Sequence, residues 1–332
     1  MNNIFKGKTV LVTGGTGSIG SELVRQALIS NARAVRVLSR DENKQYDLLE
    51  KLGHSKKLRM FIGDIRDKDR LDLAFRGADI VLHAAAMKHV PFCEYNPFEA
   101  VKTNIIGSQN VIEVALKNNV EKVIAISTDK ATRPQNVMGV SKLMMEKLFT
   151  NANFYAGSSC TKFSCVRFGN VAWARGSVLP LWKRQADLEK RIKVTNGDMT
   201  RFFMSIEEAC KLVIESLTIA QGGEIFIFKM PAVRLIEMAE MFVKKYYPKK
   251  NIKIKLTGIR SGEKMHEELF CTDDGSEEIF ENSRMFIIAP KKEARGSLKS
   301  KVSRYPGFKK IASDINLSSK GSIDIKKIRA II

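Results

Sequence analysis

Thr13-Gly14-Gly15-Thr16-Gly17-Ser18-Ile19-Gly20 ends a short apolar run, Lys8–Thr13. It opens a segment, Ser18–Asn31, whose apolar residues Ile19, Leu23, Ala27 and Leu28 keep helical spacing. Gly14, Gly17 and Gly20 stand three apart. Between a strand and a helix, each answers a separate need: a turn without a Cβ, backbone approach to a pyrophosphate, and close packing of helix on sheet. The helix start offers N–H groups and a partial positive charge to the phosphates. Gly14, Thr16, Gly17, Ser18, Ile19 and Gly20 are therefore the expected dinucleotide contacts.

Working outward, Ala34–Leu38, Leu58–Ile62, Ile80–Ala84, Lys122–Ser127 and Phe163–Phe168 read as further strands, with a helical stripe over Val101–Lys117. Short apolar runs alternating with helices predict an α/β fold, a doubly wound parallel sheet of the Rossmann type. The second half is mixed. Helices are expected over Glu207–Leu217, Leu235–Tyr247 and Ile323–Ile332, and strands over Glu224–Met230 and Lys253–Thr257. This gives a dinucleotide-binding domain over 1–168, to which parts of 201–230 return. Residues 169–332 are expected to form mainly a smaller α/β substrate-binding lobe and a tail.

The 332 residues are 44% apolar and 28% charged, which excludes disorder, collagen and coiled coil as the main architecture. No apolar run approaches the ~18 residues of a membrane helix. Five scattered cysteines without a C-x-x-C pair, and a start unlike a signal peptide, point to reduced thiols and the cytoplasm. The net charge is +20, and residues 290–332 carry +9 of it, with twelve basic residues against three acidic. No nucleic-acid-reading motif accompanies this charge. The expectation is a solvated basic surface that attracts a small anion, with no nucleic acid and no membrane as partner. His54, His83, His89 and His266 lack metal-ligand spacing, and no metal is expected. His83 reads as a core histidine and His54 as a surface one.

The second strand ends at Ser39-Arg40-Asp41. An acidic residue there would bond the ribose 2′-hydroxyl of NAD, whereas a hydroxyl and a guanidinium suit a 2′-phosphate. Ser39 and Arg40 thus favour NADP over NAD, the alternative being Asp41 on the hydroxyl. Asp64 and Ile65 follow the third strand, and Ala84-Ala85-Ala86 and Lys88 the fourth; all are expected along the cofactor.

Ser127-Thr128-Asp129-Lys130-Ala131 ends the fifth strand, and Lys142 lies on the helix after it. In nicotinamide enzymes of this layout a tyrosine stands four residues before that lysine, its phenol depressed from about 10. Met138 stands there instead, and a thioether moves no protons. Asp129 and Lys130, adjacent at a strand end, are the candidate acid and base.

With those residues in view, the chain resembles the UDP-N-acetylglucosamine 4,6-dehydratases of the extended short-chain dehydrogenase/reductase superfamily. The resemblance is carried by T-G-G-T-G-S-I-G (13–20), S-R-D-E (39–42), G-D-I-R-D (63–67), H-A-A-A-M-K-H-V-P (83–91), E-Y-N-P (94–97) and K-T-N-I-I-G (102–107). It continues through S-T-D-K-A (127–131), R-F-G-N-V (167–171), R-G-S-V-L-P (175–180), M-T-R-F-F (199–203) and G-I-R-S-G-E-K (258–264). It implies oxidation at sugar C4, loss of the C5 proton with expulsion of the C6 hydroxyl, and return of the hydride to C6. It further implies that Asp129 protonates the leaving hydroxyl, Lys130 is the base at C5, Lys142 binds the nicotinamide ribose and Thr128 touches the substrate near C4. Other members also carry Met at the position of Met138. The resemblance leaves the C5 configuration open, and it suggests a homo-oligomer, dimer or hexamer, making bacterial surface or flagellar sugars.

A UDP-sugar brings two phosphates, which guanidinium forks grip. By the resemblance, Asn170, Arg175, Val178, Thr195, Arg201, Arg260 and Glu263 line the nucleotide pocket, and Lys88 reaches the sugar. Trp173 and Trp182 flank the Arg175 loop as core or as lid. Two rival readings keep the cofactor site. One is a UDP-sugar 4-epimerase, which needs the tyrosine that Met138 replaces. The other is a non-catalytic NADP-binding protein, for which Met138 and the basic tail speak.

Overall fold

The computed structural model describes residues 3–157, 159–270, 277–290, 305–311 and 317–332. Cys271 and residues 291–304 and 312–316 of the basic tail lie outside the described residues. Strands β1 (Thr9–Thr13), β2 (Ala34–Ser39), β3 (Leu58–Ile62), β4 (Ile80–His83), β5 (Lys122–Ile126) and β6 (Lys162–Arg167) fall on the apolar runs. They pair in parallel in the order β3-β2-β1-β4-β5-β6. The order reverses at β1, and in such sheets the crevice beyond the carboxyl ends at that point is where ligands bind.

The chain continues through β7 (Asn170–Val171), β8 (Arg191–Val194), β9 (Thr200–Met204), β10 (Ile225–Phe228), β11 (Ala232–Arg234) and β12 (Lys253–Leu256). It closes with β13 (Glu268–Phe270), β14 (Glu277–Glu281), β15 (Met285–Pro290), β16 (Lys309–Ile311) and β17 (Leu317–Ser318). β10 joins β6 in parallel, and β15, β14 and β16 then extend the sheet antiparallel. The segments 277–290 and 305–311, grouped by the sequence with the second lobe, therefore sit in or against the large sheet. Phe286, Ile287, Ile288 and Ala289 are all buried, so β15 shows no polar alternation. Tyr305 is fully buried, and its hydroxyl donates to Glu224 Oε1 at 2.9 Å.

A second apolar core gathers Leu179, Trp182, Met238 and Phe242 from the helices Val178–Glu189 and Leu235–Tyr246, with Ile328 of the closing helix Ile325–Ile331. The small sheets β11-β9-β7 and β12-β8 contribute to it. Trp182 is fully buried there, and Trp173 packs on Phe242 and Tyr246, so both tryptophans are packing residues.

The single helical stripe over Val101–Lys117 is two pieces, a π-helix Val101–Ile106 and an α-helix Gly107–Lys117. Wide turns of this kind often re-aim a side chain at a working site. Here it is Asn104, which accepts from Met87 N at 2.8 Å and donates to Met87 O at 3.0 Å and Ser141 Oγ at 2.9 Å. Among the described residues no helix is long and apolar enough to cross a membrane.

Candidate active site

The glycine loop is shaped by close approach. Gly14 has φ +65°, and a Cβ on it would stand 2.7 Å from Ala85 N; a Cβ on Gly20 would stand 2.3 Å from Gly14 O. Gly17 starts the helix Ser18–Ile29 with no side-chain cap, which leaves the helix start open to an anion. Thr16 Oγ1 meets Ser39 Oγ at 2.7 Å, and Ile19 packs on the core. Ala84 and Ala85 lie against Gly14, and buried Ile65 packs on Gly107. The cradle fits a dinucleotide pyrophosphate.

At the outer end Arg40 is exposed and 3.6 Å from Asp64 Oδ2. Burial works against ionisation of Asp64, but its bonds from Arg66 outweigh that and hold the carboxyl below its usual range. Asp41 caps the helix Glu42–Lys51 by accepting from Lys44 N at 3.0 Å, and it also pairs with the Lys44 amine.

Arg175 lies on the glycine loop, away from Arg201 and Arg260. Its N–H donates to Ser18 Oγ at 2.9 Å and its guanidinium to Thr16 O, while its carbonyl accepts from Lys88 Nζ at 2.6 Å. Burial pushes the Lys88 amine down, and Arg175 adds to the effect. Gly176 turns this loop at φ +72°, and a Cβ there would stand 2.4 Å from the His89 ring.

β5 runs into a short turn, Asp129–Ala131. Asp129 is fully buried. Its Oδ1 accepts from Thr128 Oγ1 at 2.8 Å and from Lys130 Nζ at 3.0 Å, while its Oδ2 has no hydrogen-bond partner among the described residues. Lys130 Nζ also lies 3.5 Å from Glu267 Oε1. Burial disfavours the ammonium, yet Asp129 and Glu267 outweigh it, and the Lys130 pKa is raised.

The helix Val137–Ala152 is capped by Asn136, which accepts from Gly139 N at 2.8 Å and reaches Gly262 O at 2.8 Å. It carries Met138 and Lys142. Met138 is buried with Cys93 and Ala100. The Lys142 amine donates to Ile126 O and to Met145 Sδ, and burial lowers its pKa to about 8. Glu146, one turn on, is taken by buried Arg167 at 2.6 Å. Arg167 in turn reaches Thr132 Oγ1 at 3.0 Å and Leu269 O at 2.8 Å, tying β13 to the Lys130 turn.

On the substrate side, Asn170 Nδ2 donates to Phe202 O at 3.1 Å, Val178 starts its helix, and Thr195 Oγ1 lies 3.3 Å from Met199 Sδ. Arg201 is buried, 3.8 Å from Glu267 Oε1; Arg260 is exposed, 3.9 Å from Glu263 Oε1. The structure thus gathers Thr128, Asp129, Lys130 and Arg201 into one cluster, and leaves Arg175 and Arg260 outside it. Sequence reasoning missed Glu267, Asn104 and Glu146. The one available signal for Glu267 was its place beside His266, three residues beyond the 258–264 motif.

His83 is buried between Thr13 Oγ1 at 2.7 Å and Ser108 Oγ at 3.2 Å, and burial lowers its pKa to about 3. Among the described residues no three His, Cys, Asp or Glu side chains are placed to hold a metal.

A family model described as "polysaccharide biosynthesis protein" matches residues 10–290. The chain belongs to this family. A UDP-N-acetylglucosamine 4,6-dehydratase (inverting) of Campylobacter jejuni is 44% identical, covering 86% of this chain and 84% of its own. An uncharacterized membrane protein of Methanocaldococcus jannaschii is 52% identical over 87% and 88%. A UDP-glucose 4-epimerase of Rickettsia canadensis is 41% identical over 82% and 80%. The X-ray structure of Pen from Bacillus thuringiensis superposes with TM-score 0.88 at 42% identity, covering 98% of each chain. The resemblance to the UDP-N-acetylglucosamine 4,6-dehydratase family, first drawn from the motifs, holds over 86% of the chain, and the fold is of the Rossmann type.

Proposed function

We propose that the chain dehydrates UDP-N-acetylglucosamine to a UDP 4-keto-6-deoxy-N-acetylhexosamine. The observation that carries this reading is the ion pair of buried Asp129 and half-buried Lys130 at the carboxyl end of β5, on a sheet with a dinucleotide cradle. Kinship with the Campylobacter dehydratase supports it. A nicotinamide dinucleotide in the cradle supplies reversible storage of a hydride. Among its expected contacts, Lys142 serves the nicotinamide ribose. NADP is favoured over NAD because Ser39 and Arg40 stand at the end of β2 and Asp41 is already engaged by Lys44.

The pair can serve both ends of an elimination. A proton shift along the 3.0 Å bond from Lys130 Nζ to Asp129 Oδ1 makes a neutral amine and a carboxylic acid. Once C4 is a ketone, the C5–H bond is acidified. Lys130 takes the C5 proton, the C5–C6 double bond forms, and the C6–O bond breaks as Asp129 gives its proton to the departing hydroxyl, which leaves as water. The pair returns to ammonium and carboxylate. Thr128, bonded to Asp129, faces C4. Arg201, Arg260, Asn170, Val178, Thr195 and Glu263 serve the UDP side in the second lobe, with Lys88 and Arg175 bridging to the cofactor loop.

Exposed apolar side chains on packed helices, Phe98, Ile106, Val140 and Met144, favour a homo-oligomer, which light scattering would size. Free thiols at Cys93, Cys165 and Cys210 favour the cytoplasm.

The test is incubation of the purified protein with UDP-N-acetylglucosamine in deuterated buffer, followed by mass spectrometry and NMR. Loss of one water with deuterium at C5 is expected, and the ring couplings report the C5 configuration. Appearance of UDP-N-acetylgalactosamine without loss of water would establish the epimerase instead.

A further inference from the structure

We propose that Glu267 is a positioning residue that holds the Lys130 amine in the site as a second carboxylate beside Asp129. The proposal rests on the dehydratase reading. Glu267 is 2% exposed. Its Oε1 stands 3.5 Å from Lys130 Nζ and 3.8 Å from Arg201 Nε. Its Oε2 is buried without a hydrogen-bond partner among the described residues. A buried carboxylate oxygen with no donor is costly, and folds retain one where its charge or its reach is used.

The backbone around Glu267 is built to place it. Its N–H donates to Ser319 Oγ at 2.9 Å, and its carbonyl accepts from Ser319 N at 2.8 Å. Two residues on, Leu269 O accepts from Thr132 Oγ1 at 3.0 Å and from Arg167 Nη1 at 2.8 Å. The segment that carries Glu267 is thereby fastened to the turn that carries Lys130.

A lysine stem has four carbons and much rotamer freedom to lose. Asp129 alone, on the neighbouring residue, leaves the amine free to swing about one contact. Glu267 supplies a second anchor from another part of the chain. The charged groups facing Lys130 are Asp129, Glu267 and Arg201; the two acids hold its proton and Arg201 opposes them. Lys130 therefore rests as an ammonium, and it becomes a base only by passing its proton to Asp129.

The test uses the full chain and two variants, Glu267→Gln and Glu267→Asp. The Lys130 amine is titrated by NMR with isotope-labelled lysine, its signal assigned through Lys130→Met. The pH profile of kcat for water loss is measured alongside. In Glu267→Gln the Lys130 midpoint should fall by about one unit or more, since an acid within 4–6 Å shifts a base by that order. The limb of the kcat profile that Lys130 governs should move to lower pH with it, KM should change little, and Glu267→Asp should restore part of the shift.

A folded Glu267→Gln whose Lys130 midpoint stays at the wild-type value overturns the proposal. So does a uniform fall in kcat with no movement of the profile. Should Glu267→Gln not fold, Glu267→Asp decides: its shorter reach should lower the midpoint by a smaller amount, and an unmoved midpoint overturns the role. The titration needs no substrate. A wild type that leaves UDP-N-acetylglucosamine intact thus sinks the dehydratase reading, while an unmoved midpoint sinks only the role of Glu267.

Discussion

Lys130 and Lys142 follow the same strand, one half-buried and the other buried, yet their surroundings drive them in opposite directions. Lys130 lies between two carboxylates, and its proton is held. Lys142 faces a backbone carbonyl and a thioether, and its proton is loosened to about 8. The nearest acid to Lys142, Glu146, is spent on Arg167. Burial alone therefore does not set the state of a lysine; the charge of what it touches does. The two amines are fitted for different work, one to carry a proton that Asp129 can release, the other to donate to neutral oxygens near neutral pH.

The sharpest way to break that contrast is Asp129→Asn. It removes the acceptor for the Lys130 proton and the acid for the leaving hydroxyl. Turnover should fall by about 10²–10⁴-fold, the usual worth of a general acid–base group. Cofactor affinity, which depends on the glycine loop, should be unchanged. Near-wild-type turnover in Asp129→Asn would remove the pair from the mechanism. Gly14→Ala tests the other side of the molecule. Its Cβ would stand 2.7 Å from Ala85 N at a φ of +65°. Cofactor affinity should drop by about ten-fold or more, since strain of 1–3 kcal/mol is placed directly in the cradle. Fluorescence titration with NADP and with NAD reads both the loss and the preference.

Met138→Tyr probes the Lys142 end. Met138 is buried with Cys93 and Ala100, so a ring and a hydroxyl overfill the site and should cost about 1–3 kcal/mol. A drop in Tm is expected, with no gain of 4-epimerase activity. Gain of epimerisation would show that the methionine alone separates the two chemistries.

What could be read in advance follows from distance along the chain. The cofactor cradle lies within eight residues, Thr13 to Gly20, where a local pattern states every need of the turn. The Asp129–Lys130 pair is likewise local, because the strand end that presents it is marked by its apolar run. Glu267 was invisible for the opposite reason. Its bond to Lys130 exists only because β13 is fastened beside the Asp129 turn, and no spacing in the sequence encodes that contact. Arg175 shows a subtler limit. Its glycine-flanked loop was legible as an anion-binding loop, but whether it leans to the cofactor or to the sugar nucleotide is set by Ser18 and Thr16, far upstream.

Lys142→Met should have the smallest effect on stability and the most telling dependence on pH. The folded-state pKa of Lys142, about 8, lies below its ordinary value of 10.5. Below pH 8 both folded and unfolded chains hold the proton, and the cost of burying the ammonium is fully present. Between those values the unfolded chain still binds a proton that the folded chain has released. Wild-type stability therefore rises through that window relative to a chain without the group. Methionine is apolar and flexible, so it removes the charge penalty while filling similar space. It also gives up the bonds to Ile126 O and Met145 Sδ. That loss can cancel the gain at a single pH, so the slope is the diagnostic quantity. Denaturant unfolding of both proteins below pH 8 and near pH 10.5 should show the variant losing ground to the wild type as pH rises. A difference that does not change with pH would mean that the Lys142 amine is unperturbed, and the contrast with Lys130 would then be one of position only.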